Sequence, residues 1–351
     1  MRVLKSPPAA PNPARQTVAR RVLKSAGIFT LVAAIALVAG LVWGGPKPLP
    51  PLRSIGDPFN GLRFDDLPAL RYFTARDGTP LAYRYYEPAG QGKGLGSVML
   101  VHGSSANSNS VHPLAQSFVT AGYTVYAFDI RGHGQSGARG QVQYIGQLDD
   151  DLEDFVQATQ PAKPRTLLGF SSGGGFALRV ASSPRGAQFD NFLLMAPYIH
   201  YKAITNRSGD AAGWASVGLP RFVSLALLNR FGVAYFNDLA VLNFAVTDNP
   251  KADLVRQYSY ALAVSFQPLD DYRAGLRSIA RPTEVIAGAD DELFFADQYR
   301  PLLDAAGRKD IPVTIVPATG HINLTLSTAG RAAAVAAVAR LDLVPGLVPR
   351  N

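Results

Sequence analysis

The sequence predicts an α/β fold, a mostly parallel sheet covered by helices on both faces, preceded by one apolar N-terminal helix. Three observations carry this. Short apolar runs recur at 97–101, 123–128, 165–170, 190–196, 282–288 and 312–317, alternating with helical segments, the pattern of a sheet buried on both sides. Most of these runs end in a polar or glycine-rich corner that leads into a helical segment. The third is a charge-free stretch from Gly27 to Trp43.

In chain order, residues 1–26 form a basic tail with Arg2, Lys5, Arg15, Arg20, Arg21 and Lys24 and no acid among them. These six explain most of the formal charge of +8, since of 34 Lys and Arg only 28 lie beyond the tail, against 26 Asp and Glu. Nucleic-acid binding has no support, because no basic helix face or interleaved aromatic motif accompanies the charges. Residues 27–43 reach about 25 Å as a helix, the short end of a bilayer span. The basic flank predicts a cytoplasmic N-terminus and the rest of the chain outside, periplasmic or extracellular. We read the helix as an uncleaved signal anchor. A cleaved signal peptide, with secretion, is the alternative, although Ala34-Ile35-Ala36 and the surroundings of Gly40 are poor cleavage sites. Arg20-Arg21 fits a twin-arginine signal only loosely. The Pro- and Gly-rich segment 44–68 then ends any helix and reads as a semi-rigid linker holding the domain off the bilayer. The absence of cysteine fits an extracytoplasmic site without requiring it.

The remaining domain spans 69–345. Arg71–Thr74 and Leu81–Tyr86, separated by Asp77-Gly78-Thr79-Pro80, predict an opening antiparallel hairpin. Gly92-Lys93-Gly94-Leu95-Gly96 precedes a strand, so it is a loop and not a dinucleotide fingerprint. A helix from about Tyr144 to Thr159 carries Asp149, Asp150, Asp151, Glu153 and Asp154, read as a solvated face.

The most informative motif is Gly169-Phe170-Ser171-Ser172-Gly173, between the apolar Leu167-Leu168 and the small-residue stretch that follows. In a G-x-S-x-G turn the serine sits at a strained strand-to-helix corner, which exposes its hydroxyl as an acyl-transfer nucleophile needs. A serine hydroxyl is weak near neutral pH, so the motif requires a histidine base, an orienting carboxylate and backbone donors for an oxyanion. Both side chains are available downstream. The run ending at Gly288 leads into Ala289-Asp290-Asp291-Glu292, and the run ending at Pro317 leads into Ala318-Thr319-Gly320-His321. The order serine, acid, histidine is the order of α/β-hydrolases.

Upstream, His102-Gly103-Ser104-Ser105 and Asp129-Ile130-Arg131-Gly132-His133-Gly134-Gln135-Ser136 follow strands. With the elbow, these loops resemble the α/β-hydrolase family, in particular its lysophospholipase, monoacylglycerol-lipase and serine-aminopeptidase-like branch, over roughly residues 70 to 340. The resemblance implies an eight-stranded sheet and a helical lid inserted at about 198–280, where loosely helical aromatic and aliphatic residues crowd. It implies Ser171 as nucleophile, His321 as base and Asp291 as acid, with Asp290 the adjacent alternative and Glu292 a remote one. It also assigns the oxyanion hole to the N–H groups of Ser104 and Ser172. Phe170 and Ser172 depart from the family's usual neighbours of the nucleophile, which reshapes the pocket wall. Of the other histidines, His102 and His133 read as loop-shaping, and His112 and His200 as surface or core packing. No metal or cofactor is called for: there is no His-Glu-x-x-His motif and no cysteine ligand set.

The implied activity is hydrolysis of carboxylic esters with apolar, lipid-like acyl groups such as monoacylglycerol or lysophospholipid. Alternatives are an aminopeptidase-type enzyme and a non-catalytic, membrane-tethered binding module. The insertion has no glutamate to receive a substrate ammonium, though Asp210, Asp238, Asp248 or Asp253 could supply a carboxylate for that task.

Overall fold

The computed structural model describes residues 13–60, 62, 64–88, 94–207, 213–247 and 253–344, with side chains from residue 24 onward. Elements follow in chain order as α1 (Pro13–Trp43), α2 (Arg53–Gly56), β1 (Leu70–Thr74), β2 (Pro80–Tyr86), β3 (Ser97–Val101), α3 (His112–Thr120), β4 (Thr124–Phe128), α4 (Gln147–Thr159), β5 (Arg165–Phe170), α5 (Ser172–Ala181) and β6 (Asn191–Met195). An insertion carries β7 (Ala215–Val217), α6 (Leu219–Arg230), β8 (Ala240–Phe244), β9 (Gln257–Ser259), α7 (Tyr260–Ser265) and α8 (Tyr272–Ser278). The chain closes with β10 (Thr283–Gly288), α9 (Tyr299–Ala305), β11 (Val313–Val316), α10 (Asn323–Leu326) and α11 (Thr328–Asp342).

Eight strands form one sheet in the order β1-β2-β4-β3-β5-β6-β10-β11. The β1–β2 and β2–β4 pairings are antiparallel and the others parallel, so the hairpin caps one edge of a parallel sheet. Every residue of β3, β6 and β10 is buried, as a sheet covered on both faces requires. The strand order reverses at β3. From there the chain steps outward to β4 and returns to β5 on the other side, which opens a crevice at the carboxyl ends of β3 and β5. Both key loops, at Ser104 and at Ser171, leave the sheet there.

Three elements differ from the sequence-based expectation. The insertion is not wholly helical, because β7, β8 and β9 make a three-stranded antiparallel sheet. β7 and β9, at three residues each, are too short to show a period-2 pattern. The acidic run on α4 is not a solvated face either. Asp149 and Asp151 are buried, Asp149 accepting from Arg179 Nε at 2.9 Å and Asp151 from Arg131 at 2.7 and 2.8 Å. Burial pushes both carboxyls up despite these arginines. On the outer side, Arg76 binds Asp150, Glu153 and Asp154 at 2.9–3.2 Å. Buried charge persists only when paired, and the partners lie on other segments, so the run alone does not show them.

The third difference is at the N-terminus. The helix begins at Pro13, ahead of the apolar stretch, with Pro at a favoured first position and good helix formers after it. Its candidate span, Lys24–Trp43, has 20 residues, about 30 Å of helix and the thickness of a bilayer core. Among the described residues, its last turns are the ones that touch the domain. A Cβ on Gly40 would lie 2.3 Å from Ser224 Oγ, so the helix meets α6 by close approach. Arg221 of α6 donates to the carbonyls of Leu41 (2.8 Å) and Val42 (3.0 Å), which the helix end leaves without partners. The segment read as a spacer is likewise packed on the domain: Lys47 N–H donates to Ser216 Oγ (3.0 Å) and Leu52 N–H to Ala245 O (2.8 Å). The loop expected at 92–96 lies partly outside the described residues.

Candidate active site

Ser171 occupies the corner between β5 and α5 with φ 56° and ψ −118°, a conformation that costs of order 1–3 kcal/mol and must be held by its surroundings. What holds it is close backbone approach. A Cβ on Gly169 would lie 2.0 Å from Gly173 O, and one on Gly173 would lie 2.4 Å from His102 O. Ser171 N–H donates to Met195 O at 2.9 Å, and Ser171 O accepts from Gly175 and Tyr198 N–H at 3.0 Å. Among the described residues, the Ser171 hydroxyl makes no hydrogen bond. It lines a cavity of about 620 Å³ together with His321, Ser104 and Trp214.

The structure brings Asp291, and not Asp290, to His321. Asp291 Oδ2 is 2.8 Å from His321 Nδ1, while Oδ1 accepts from the N–H groups of Leu293 and Phe294 at 2.8 Å each. Both side chains are fully buried apart from the imidazole edge that reaches the cavity. Asp290 is exposed. Glu292, the remote alternative for the acid, instead accepts the backbone N–H of His321 at 2.9 Å and so fixes the turn that carries the ring. The imidazole lies between two aromatic rings, Phe170 at 4.8 Å and Phe294 at 5.3 Å between centroids. This arrangement leaves Nε2 as the nitrogen available to the cavity.

Ser172 is the first residue of α5, and the first N–H groups of a helix lack intrahelical partners and carry its positive end. The Ser104 loop is built by more residues than the sequence singled out. Trp214 Nε1–H donates to Ser104 Oγ at 3.0 Å, and Ser105, at φ 66°, donates its N–H to Tyr258 Oη at 2.7 Å. Tyr258 Oη in turn meets His133 Nε2. Trp214 and Tyr258 belong to the insertion, where nothing in the sequence marks which aromatics reach the site.

His102 and His133 are buried with rings 4.9 Å apart. His102 Nδ1 meets Gly103 O at 2.8 Å and Nε2 meets Ile130 N–H at 3.3 Å, a pattern that needs a neutral ring with its proton on Nδ1. Burial lowers both pKa values, that of His133 further because His102 adds to it. The loop-shaping reading of both thus has a concrete form. A base with a folded pKa below its unfolded value of about 6.5 leaves the unfolded chain binding more protons. Stability should then fall as pH drops from about 6.5 toward the folded pKa, at about 1.4 kcal/mol per pH unit for each ring. Asp149 and Asp151 work with the opposite sign, so we isolate the histidine part by substitution. Denaturant midpoints between pH 7.5 and 5.5 should vary less in His133→Gln than in the unmodified protein, and an unchanged slope would contradict the assignment. His112 is buried in the core, its Nδ1 3.0 Å from Tyr86 Oη and its Nε2 3.1 Å from Asp66, and His200 stacks on Tyr272.

Asp57 is the single carboxylate among the described residues lining the cavity, and it is paired with Arg53 at 3.2 Å. Of the carboxylates considered for an ammonium, Asp253 is paired with Arg139. Asp238 is absent from that lining, and Asp210 and Asp248 lie outside the described residues. No group of three or more His, Cys, Asp or Glu residues suited to a metal occurs among the described residues.

Comparison with known proteins agrees with this architecture. The monoacylglycerol lipase of Mycolicibacterium smegmatis is 31% identical over 134 residues, 36% of this chain and 46% of that protein. The monoglyceride lipase of Homo sapiens is 33% identical over 140 residues, 39% of this chain and 44% of that protein. The chain thus spans less than half the length of these two curated relatives. A solved soluble variant of the monoglyceride lipase from Saccharomyces cerevisiae, in complex with a substrate analog, superposes with a TM-score of 0.59 at 16% identity, covering 81% of this chain and 97% of that one. A likeness at that identity speaks for the fold. The family described as "Serine aminopeptidase, S33" matches residues 92–325, more than half of the chain. The chain belongs to this family of α/β-hydrolases.

Proposed function

We propose that this protein is a serine ester hydrolase for apolar, lipid-like acyl groups, tethered to a membrane by α1. One observation carries the reading: a strained Ser171 opens into the same cavity as His321, whose far nitrogen is held by Asp291. In this mechanism Ser171 Oγ attacks the ester carbonyl carbon while His321 Nε2 takes its proton, and Asp291 holds the imidazole and stabilises its charged form. The carbonyl oxygen becomes an oxyanion between the N–H groups of Ser104 and Ser172. Collapse breaks the bond to the alcohol, which leaves with the proton from His321. Water then repeats the sequence on the acyl-enzyme and releases the acid.

An aminopeptidase reading follows from the family's description, but the one described carboxylate in the cavity is already paired. A panel of single-chain acyl esters beside aminoacyl amides distinguishes the two. We expect kcat/KM to be higher for the esters, and faster cleavage of the amides would overturn the ester reading.

For the anchor, burying a full apolar span is effectively irreversible, whereas a surface charge patch yields to salt. The full chain should resist high-salt and alkaline extraction and yield to detergent. The basic flank favours an outward-facing domain, so protease added to intact spheroplasts should digest it, and complete protection would reverse the orientation. A mature N-terminus between residues 36 and 46 would replace the anchor with a cleaved signal.

A further inference from the structure

Described residues of the segment joining α1 to the sheet, from Leu52 to Phe64, help line the Ser171 cavity. At one end Leu52 N–H is bonded to Ala245 O of the insertion, and at the other Asp66 holds His112 and Gln116 of α3. Between these ties, Ile55 lies in α2 and Phe59 in the single turn Asp57–Phe59, with Leu52 in extended backbone just ahead of α2. All three line the cavity and pack against the hydrophobic core. Arg53 lies on the outer face, 88% exposed and paired with Asp57. Leu293 and Ile322, close in sequence to Asp291 and His321, line the same cavity.

We propose that this strap is the binding wall for the acyl chain, so that Ile55 and Phe59 set the enzyme's preference for long single-chain acyl esters over short ones. The proposal rests on the ester-hydrolase reading and adds a specificity determinant outside the stretch matched by the family, which starts at residue 92. A cavity of about 620 Å³ lies within the range that binds a single small ligand, and its apolar lining favours an alkyl chain over a charged group.

The test uses the full chain in nanodiscs and a series of 4-nitrophenyl esters from acetate to dodecanoate. One methylene of pocket contact is worth roughly 10-fold or more in discrimination. Ile55→Ala and Phe59→Ala should each lower kcat/KM for the dodecanoyl ester by about 10-fold and leave the acetyl ester within about twofold. Ser54→Ala, an exposed position outside the cavity lining, should leave the whole series unchanged. Curves parallel to that of the unmodified protein, whether at the same height or uniformly lower, would overturn the proposal, as would a gain that grows with chain length. Labelling of Ser171 by a small phosphonate ester, read by mass, keeps the two readings apart. An unmodified chain that is not labelled overturns the ester-hydrolase reading, and labelled variants with parallel curves overturn the strap alone.

Discussion

Ser171→Ala is expected to lower kcat for a simple ester by about 10⁶-fold, because nucleophile and base act as a unit and the loss of either removes the covalent route. The fold should tolerate the change. The Ser171 hydroxyl makes no hydrogen bond among the described residues, and its strained backbone is held by Gly169, Gly173 and the carbonyl of Met195, none of which is altered. The melting transition should stay near that of the parent while turnover disappears. His321→Ala should lose comparable activity but also some stability, since it removes a buried ring packed between Phe170 and Phe294. Its chemistry is therefore to be read from the folded fraction. Ester turnover by folded Ser171→Ala protein at a rate near that of the parent would exclude the serine as nucleophile.

Asp291→Asn should lower kcat by about 10⁴-fold, an effect that follows from which oxygen is already committed. Oδ1 accepts two backbone N–H groups, from Leu293 and Phe294, so the amide oxygen of asparagine must occupy that place. Its NH₂ then faces His321 Nδ1, where Oδ2 stood. A donor there forces the imidazole proton onto Nε2, the nitrogen that must accept from Ser171. The loss is one of tautomer, so the packing of the site should survive. Asp290→Asn should be mild, because that side chain is exposed and makes no contact with His321. Steady-state kinetics on the two variants side by side check the register of the loop, and a larger effect at Asp290 would shift the acid by one residue.

What could be read in the sequence is what repeats in rows or sits next to a glycine. The strands at 97–101 and 165–170 were visible through their apolar stretches Val98-Met99-Leu100-Val101 and Leu167-Leu168, and the corner at Ser171 as glycines that permit backbone contact. The order of Ser171, Asp291 and His321 was visible for the same reason, since each lies just past an apolar run. Pairings between distant segments were not visible. Asp149 and Asp151 look like solvated acids until Arg179 and Arg131 are placed beside them. Leu52, Ile55 and Phe59 follow a stretch rich in proline and look like part of a linker, because their partners on the insertion and beside His321 lie some 200 residues or more away. The short strands of the insertion take their stability from one another and leave no local period to detect.

The most direct test of the account is to react the full chain with an active-site phosphonate ester and map the adduct by mass spectrometry. The account predicts a single adduct on the peptide carrying Ser171, lost in Ser171→Ala and formed far more slowly in His321→Ala. An adduct on Ser104 or Ser172 in place of Ser171, or no adduct on the folded protein, would contradict it.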